Sequence, residues 1–231
     1  MSASLVTKDG KGGGMKKFKI AYHFLLWGMI MLMAGCAGRA HYSLVPDYKA
    51  KPPRSIAVLP ALNETVNLKA PEEFRSLVQA KISQKGYEAP AVSDIDKRLQ
   101  GKGIHEAGQV NSLTPQELGK LLGVDAILYT TVTEFSTAYL VAYSSMTVGA
   151  RFELKDAKTG EKLWESEHRV KESKLGLDKQ AMEESLKFAA LQTYAPYCKK
   201  VTDACFATLP NGPLSTSSPP PAGCLFPAGR K

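Results

Sequence analysis

Cys36 has the most distinctive setting for chemistry in this sequence. It follows an apolar run, Ala21–Ala34, that begins shortly after three lysines. An export signal combines a basic start, an apolar stretch of roughly 7–15 residues and small residues at the cleavage point. Met15–Gly35 supplies all three parts, so we expect residues 1–35 to be a signal peptide. Residues 1–14 are polar and glycine-rich, which favours Met15 over Met1 as the true start.

The four residues Met33-Ala34-Gly35-Cys36 resemble the lipobox of bacterial lipoproteins. The resemblance implies diacylation of the Cys36 thiol with fatty acids such as palmitate, cleavage before Cys36, and acylation of the new amino terminus. Two or more acyl chains hold a protein stably in a membrane, because each buried methylene contributes about 0.8 kcal/mol to the binding free energy. Ala37 stands where an aspartate usually retains lipoproteins in the inner membrane. The resemblance therefore implies the outer membrane, with the protein facing the periplasm or exposed at the surface.

Three further cysteines, Cys198, Cys205 and Cys224, would enter an oxidising compartment after export, where disulfides persist. Cys198 and Cys205 are close in sequence and could pair, which would leave Cys224 alone, although sequence does not determine the connectivity. Their spacing matches no zinc pattern and no histidine is nearby, so we expect no metal site.

Other catalytic constellations are missing from the sequence. G-x-S-x-G, H-E-x-x-H and the phosphate-binding G-x-x-x-x-G-K-[ST] do not occur. His41, His105 and His168 remain after cleavage, and only His168, beside two glutamates, suggests an acid/base role. A solvated strand face is the simpler explanation of His168, and we prefer it. We expect a protein that is not an enzyme and that binds no cofactor.

The charge of the chain is mostly a property of its targeting segment. The full sequence has a net charge of +8, and removing residues 1–35 takes away five lysines and one aspartate, which leaves +4. The remaining lysines are scattered, whereas nucleic-acid binding requires a clustered basic face. We therefore expect no nucleic-acid partner.

The first half of the body has the pattern of a βαβ unit. Ser55–Pro60 is an apolar run typical of a buried strand. A helix is expected from Pro71 to a glycine cap at Gly86, because Phe74, Leu77, Val78 and Ile82 share one face. Tyr87–Val92 is expected to form a second strand, followed by a flexible connection over Ile95–Gln109.

The second half is expected to be mainly antiparallel sheet. Thr114-Pro115-Gln116-Glu117 is a capping box with proline in the first turn, and Gly123 would end that helix. Asp125–Lys171 alternates between apolar and polar residues, as half-buried strands do, with a turn at Asp156–Gly160. A last helix would be capped by Asp178, use Met182, Leu186, Ala189, Ala190 and Thr193 as its apolar face, and be limited or kinked by Pro196.

These elements define the domain organisation. Residues 36–54 would be a lipidated, proline-containing flexible tether, and residues 55–208 one α/β domain. Residues 209–231 would be a disordered Pro/Ser-rich tail. The fold class is a single α/β domain with a mixed β-sheet flanked by helices, parallel near its N-terminus and antiparallel near its C-terminus.

Three segments resemble a family of bacterial lipoproteins of unknown function: Ile56–Thr65, Gly123–Phe135 and Asp156–Glu165. The last of these also appears in curli-secretion (CsgG-type) and cell-wall-synthase-activator (LpoB-type) lipoproteins. The resemblance implies a fold similar to the N-terminal domain of TolB and transfers no catalytic residues.

Three functions are compatible with the sequence. The first is an anchored protein-binding component of an envelope secretion, transport or assembly complex, with self-association as an open alternative. An exposed strand edge in Asp125–Lys171 could receive a partner strand. The second is a regulator of cell-wall synthase activity. The third is a small-molecule binder or hydrolase with a cleft near Asn63 and Glu64, beside the C-terminal end of the first strand.

Overall fold

The computed structural model describes residues 39–140, 143–175, 183 and 194–215. Within these residues, six strands and five helices follow one another along the chain. The strands are β1 (His41–Leu44), β2 (Ile56–Val58), β3 (Leu62–Asn63), β4 (Ala126–Leu140), β5 (Tyr143–Asp156) and β6 (Lys162–Leu175). The helices are α1 (Ala70–Gln84), α2 (Val92–Gln100), α3 (Ala107–Val110), α4 (Pro115–Leu122) and α5 (Ala195–Phe206).

All six strands form one mixed sheet in the order β1-β6-β5-β4-β2, with β3 also beside β4. β2 and β3 run parallel to β4, whereas the β1–β6, β6–β5 and β5–β4 pairs are antiparallel. The parallel pair joins the N-terminal half of the domain to the long antiparallel hairpins. This is the mixed, helix-flanked α/β sheet that the sequence predicted.

One face of the sheet packs against α1 and α5. Its core is aromatic: the rings of Phe152 and Phe206 meet edge-on at 5.3 Å between centroids, and Phe74 approaches Phe152 at 6.2 Å. Trp164 is fully buried beside Phe206, and its indole N–H donates to Thr208 Oγ1 at 3.0 Å. This layer carries most of the buried apolar surface of the domain.

On the second face, helices cover the end where β4 begins. There α2 and α4 bury Ile95, Leu99 and Leu118 against Ala57 and Ile127. Farther along, this face is polar, and ion pairs such as Arg151–Glu167 (3.3 Å) and Arg169–Glu134 (3.0 Å) join residues of different strands. The predicted alternation of buried and more exposed residues is confirmed over residues 151–155, whereas Ser145 and Thr147, on the same face, are only 6% and 5% exposed.

The predicted local signals around α4 are also confirmed. Thr114 Oγ1 accepts from the Glu117 backbone N–H at 3.2 Å, and Glu117 accepts from the Thr114 backbone N–H at 2.7 Å. Gly123 ends α4 in the left-handed conformation, with φ of 69°. In the β5–β6 turn, Asp156 Oδ1 accepts two backbone N–H groups and Gly160 has φ of 76°.

The expected strand at Tyr87–Val92 is wrong. Only Glu88 pairs, in a single parallel bridge with Ser55. Pro90 has no N–H to continue a ladder, and Val92 already begins α2. The flexible connection expected over Ile95–Gln109 is also wrong, because α2 buries Ile95 and Leu99 and a capping box between Glu106 and Gln109 begins α3.

The tether and the tail are both shorter than expected. β1 pairs with β6 inside the predicted tether, and Tyr48 is buried, with its hydroxyl 2.9 Å from that of Tyr87. At the other end, residues 209–215 pack on the turn after α1. Gly212 and Leu214 donate backbone N–H groups to the carbonyls of Lys85 and Gly86.

Pro196 lies in the first turn of α5, where its missing N–H has no cost, and the helix that it was expected to limit or kink would precede it. The helix expected from Asp178 lies outside the described residues. α5 is fastened to β6 by Tyr197, whose hydroxyl donates to Glu172 at 3.0 Å, and by the Lys200–Glu172 ion pair.

Candidate functional site

The predicted modification residues fall in two very different places. Cys36 lies outside the described residues. Cys198 and Cys205 are both fully buried on α5, as free thiols. They are seven residues apart on one helix, roughly 10 Å along its axis at 1.5 Å per residue, whereas a disulfide needs Cα atoms within about 7 Å. The expected Cys198–Cys205 disulfide is therefore contradicted, and the two residues are core packing.

The three histidines do not form one site. His105 is exposed in the loop before α3, while His41 and His168 lie on the neighbouring strands β1 and β6. Burial lowers the pKa of His168, and the charge of His41 lowers it further. Glu167, which directly precedes His168 in the sequence, forms an ion pair with Arg151.

A small polar cleft lies beside the C-terminal end of β2. It has a volume of about 170 Å³ and is lined by residues of α1, α2 and the loop before α3, among them Arg75, Asp96, His105 and Glu106. Arg75 donates to both oxygens of Asp96, at 2.9 and 2.7 Å, and also to the carbonyl of Val58. Because Arg75 and Asp96 neutralise each other, these two residues of the cleft serve as an ionic contact between α1 and α2.

Asn63 and Glu64, which the sequence placed beside this cleft, do not line it. Across the described part of the chain, no group of three or more His, Cys, Asp or Glu side chains could hold a metal ion. No helix in that same part of the chain is long and apolar enough to cross a membrane.

The main open feature is the far end of the sheet. β4, β5 and β6 are 14–15 residues long, against roughly 5–6 for an ordinary strand. β1 pairs with β6 only as far as Glu167, and β3 pairs with β4 only as far as Val132. We call the three-stranded remainder, residues 133–140, 143–149 and 168–175, the sheet extension.

Both edges of the sheet extension lack a neighbouring strand among the residues that the structure describes. Ser136 on β4 and Lys171 on β6 are exposed and lie opposite Thr147 from either side. Unpaired strand edges present backbone N–H and C=O groups that can pair with another chain. The predicted exposed edge in the antiparallel half is therefore present at these two positions.

A second open feature is the segment Glu64–Lys69, which we call the apolar loop. Val66 and Leu68 are 96% and 89% exposed, far more than other large apolar residues among those described. The loop forms one wall of a groove of about 650 Å³, and the stacked rings of Phe135 and Tyr194, 4.2 Å apart, form part of another. The sequence analysis missed the exposure of Val66 and Leu68, although their alternation with Thr65 and Asn67 could have indicated it.

The sheet order, the long hairpins and the helical layers can be compared with known proteins. A family model described as "Putative lipoprotein GNA1162-like" matches residues 42–207, well over half of the sequence. The chain belongs to the GNA1162-like lipoprotein family. The family membership predicted from three sequence segments is confirmed, and the match covers β1 to α5.

A relative of this GNA1162-like chain is known from Neisseria meningitidis. "Putative lipoprotein NMB1124/NMB1162" of Neisseria meningitidis serogroup B (strain ATCC BAA-335 / MC58) is 30% identical over 126 residues. That alignment covers 54% of this chain and 59% of the relative, so it spans less than two thirds of the relative's length.

One solved structure shares the fold. The crystal structure of lipoprotein GNA1162 from Neisseria meningitidis has 27% identity and a TM-score of 0.51, and covers 61% of this chain and 97% of its own. The LpoB C-terminal domain from Salmonella enterica is less similar, with 15% identity and a TM-score of 0.40, covering 51% of this chain and 83% of its own.

Proposed function

We propose that this chain is an outer-membrane lipoprotein, acylated at Cys36, whose periplasm-facing α/β domain binds other proteins of the cell envelope. The sheet extension carries this proposal, because both of its edges lack a neighbouring strand among the described residues. Membership of a lipoprotein family and the signal ending at Cys36 support the anchor. The absence of aspartate after Cys36 favours the outer membrane.

The proposed mode of binding is strand addition to the edge of β4 or β6. An added strand gains main-chain hydrogen bonds that do not depend on its sequence, while side-chain contacts give specificity. Ion pairs such as Arg169–Glu134, 3.0 Å apart, cross the polar face of the sheet extension and would select partners by charge. The partner can be a different envelope protein or a second copy of this chain.

Site-specific photocrosslinking tests the proposal. A benzophenone side chain replaces Ser136 or Lys171 at the two edges, and Lys158, in the turn at the other end of β5, serves as the matched control. We expect discrete adducts of defined mass from the two edge positions and none from Lys158. The same variants carrying Cys36→Ala should lose both the acylated mass and the adducts.

Two results would count against the proposal. Equal labelling from Lys158 would mean that the edges are not the binding surface. If Cys36→Ala changes neither the mass attributed to acylation nor the fraction of protein in the membrane, Cys36 is not the anchor.

A further inference from the structure

The two edges of the sheet extension differ in charge. On β4, the stretch from Phe135 to Leu140 includes no charged residue. Glu134, just before this stretch, forms an ion pair with Arg169 of the same chain at 3.0 Å. On β6, Arg169 and Lys171 are both exposed. Charged residues on an edge strand, lysine above all, oppose pairing with another chain. The β4 edge is therefore the better acceptor of an added strand.

The end of β3 limits what can pair with the β4 edge. β3 runs parallel to β4 and ends with Asn63 opposite Val132, and beyond that level β4 has no described strand on this side. An added strand must therefore stop or turn when it reaches Asn63. A strand antiparallel to β4 fits if it ends in a turn there. β4 itself ends in this way, because it stops at Leu140 and β5 begins at Tyr143. A second copy of this chain thus carries a strand that fits the open edge.

A two-fold axis through the edge would pair β4 with β4 of the second copy. Opposite residues of an antiparallel pair lie on the same face of the sheet, and the faces alternate along a strand, so the axis must pass through a residue position. With Thr137 at the axis, Glu134 lies opposite Leu140 of the second copy, and the pairing stops short of Asn63. With Ser136 at the axis, Leu140 would coincide with Asn63. Thr137 is therefore the axis position.

The same pairing on the β6 edge would bring like charges together. Over residues 168–175, the two corresponding registers put Lys171 or Glu172 opposite its own copy. Like charges directly opposite each other on neighbouring strands are destabilising. On β4, by contrast, Thr137 is uncharged and Glu134 does not face its own copy. The charges therefore assign β4, and not β6, to a second copy.

The apolar loop begins where β3 leaves the β4 edge. It follows Asn63, and its groove extends to Phe135 on β4. The loop is held by its own polar groups: Asn63 Oδ1 accepts from the Thr65 backbone N–H at 3.0 Å, and Asn63 Nδ2 donates to the carbonyl of Asn67 at 2.9 Å. The two aliphatic side chains of this ordered loop stay almost fully exposed. Exposed apolar groups of this kind mark contact surfaces.

The two-fold pairing supplies a cover for this loop. In the antiparallel arrangement, the end of β4 of the second copy reaches the level at which the loop begins. The sequence at that end is Tyr139-Leu140, an aromatic residue followed by an aliphatic one. Each copy would thus bring apolar residues to the apolar loop of the other, and one contact would cover both loops.

We propose that two copies of this chain pair β4 with β4, antiparallel and around a two-fold axis at Thr137, so that the end of each β4 lies against the apolar loop of the other copy. This inference rests on the proposed strand addition and assigns the β4 edge to a second copy. The two sheet extensions would form one continuous sheet in a closed, symmetric dimer. The β6 edges at its two sides would remain for other envelope proteins.

Disulfide crosslinking in the bacterial envelope tests the pairing. The acylated full chain carries Cys224→Ser, and its helix cysteines, Cys198 and Cys205, are buried. Thr137→Cys would face its own copy across the axis, within the reach of a disulfide. Lys171→Cys, on the β6 edge, is the matched control. On non-reducing gels we expect at least about fivefold more dimer from Thr137→Cys than from Lys171→Cys.

A second substitution tests the contact with the apolar loop. Leu68→Ser is added to the Thr137→Cys protein, with Tyr42→Ser as the matched control, because Tyr42 is also a large exposed residue but lies on β1. We expect Leu68→Ser to lower the dimer yield at least about twofold, since the contact loses apolar burial, and Tyr42→Ser to leave it unchanged. Equal yields from the two would overturn the contact assigned to the loop.

The outcomes separate this inference from the proposed function. Equal dimer yields from Thr137→Cys and Lys171→Cys, or no dimer from either, overturn the two-fold pairing. The proposed function survives that result if a benzophenone side chain at Ser136 or Lys171 still gives adducts with another envelope protein. Loss of the dimer together with every such adduct overturns both.

Discussion

Arg75 and Asp96 join α1 to α2 through two parallel hydrogen bonds, and 88% of the Arg75 side chain is buried. Removing the charge of Asp96 leaves the guanidinium buried with its Nε already unpartnered. We expect Asp96→Asn to lower the free energy of unfolding by about 1–3 kcal/mol, less than for a fully buried pair because a third of Asp96 is exposed.

Urea denaturation measures this effect, with Asp47→Asn as the control. Asp47 is exposed, and we expect its substitution to change the free energy of unfolding by less than about 0.5 kcal/mol. Equal midpoints for the two variants would show that the Arg75–Asp96 contact does not stabilise the domain.

Gly119 marks the close approach of α4 to the β5–β6 turn. A Cβ atom there would lie 2.5 Å from Ala157 Cβ and 3.0 Å from its carbonyl oxygen. We expect Gly119→Ala to destabilise the domain by about 1–3 kcal/mol. Gly108→Ala is the matched control, since nothing lies within 4 Å of its Cβ position, and it should be neutral or slightly stabilising. If Gly119→Ala has a higher Tm than Gly108→Ala, the close packing of α4 against the β5–β6 turn is contradicted.

The segment after α5 should contribute measurable stability. Leu209 is 1% exposed, its carbonyl accepts from Lys85 Nζ, and the carbonyl of Pro210 accepts from the Tyr87 hydroxyl at 2.7 Å. We expect a chain ending at Thr208 to lose about 2 kcal/mol or more, mainly from the burial of Leu209. A chain ending at Ser215 should unfold at the same urea concentration as the full chain. If the chains ending at Thr208 and at Ser215 lose the same amount of stability, the packing of residues 209–215 does not stabilise the domain.

The two helix cysteines should be inert in the folded protein. Burial raises the pKa of both Cys198 and Cys205 to about 12, which leaves almost no reactive thiolate near pH 8. We expect iodoacetamide to label neither residue in the native state and both in urea. Trypsin cuts after Lys199 and Lys200, so it separates Cys198 from Cys205. A non-reducing digest in which the two cysteine peptides stay linked would show a Cys198–Cys205 disulfide and contradict this helix.

His168 should make the domain less stable in mild acid. Burial and the neighbouring His41 lower its pKa, so the unfolded chain binds the proton more readily than the folded one. Stability from the neutral imidazole is present above about pH 6.5 and is lost as the pH falls towards the folded pKa. Tm should therefore fall less between pH 7.5 and 5.5 in His168→Gln than in the unchanged protein or in His105→Gln, and equal falls would exclude this role.

The parts of the fold that were predictable are those with strong local signals. The capping box at Thr114, the turn at Asp156–Gly160 and the alternation of β5 are all set by residues within a few positions. β1 was missed because four residues of an edge strand carry little periodic pattern, and only pairing with β6 forms it. α2 was missed because a nine-residue helix with two buried residues gives a weak signal next to Gly101 and Gly103.

The candidate surfaces were less predictable than the elements. The contact between Arg75 and Asp96 joins residues 21 positions apart, so only the packing of α1 against α2 reveals it. The exposure of Val66 and Leu68 was equally hidden, because apolar residues in a sequence are expected to be buried. The open edge was predicted in kind, but its location depends on where β1 and β3 end.

β4 contains a bulge between Val132 and Glu134. Before it, even-numbered residues such as Leu128 and Val132 face the α1–α5 core, and after it the odd-numbered Phe135 does so. Thr133 is thus the extra residue of the bulge, and it shifts the alternation of inward and outward side chains by one position. A relative that lacks this residue would have an unbroken alternation, with the residue at Glu134 still outward and the residue at Phe135 still inward. An alignment gap at Thr133 should therefore leave the polarity of the sheet extension unchanged and remove only the bulge, which would give that homologue a straighter β4 edge on the same fold.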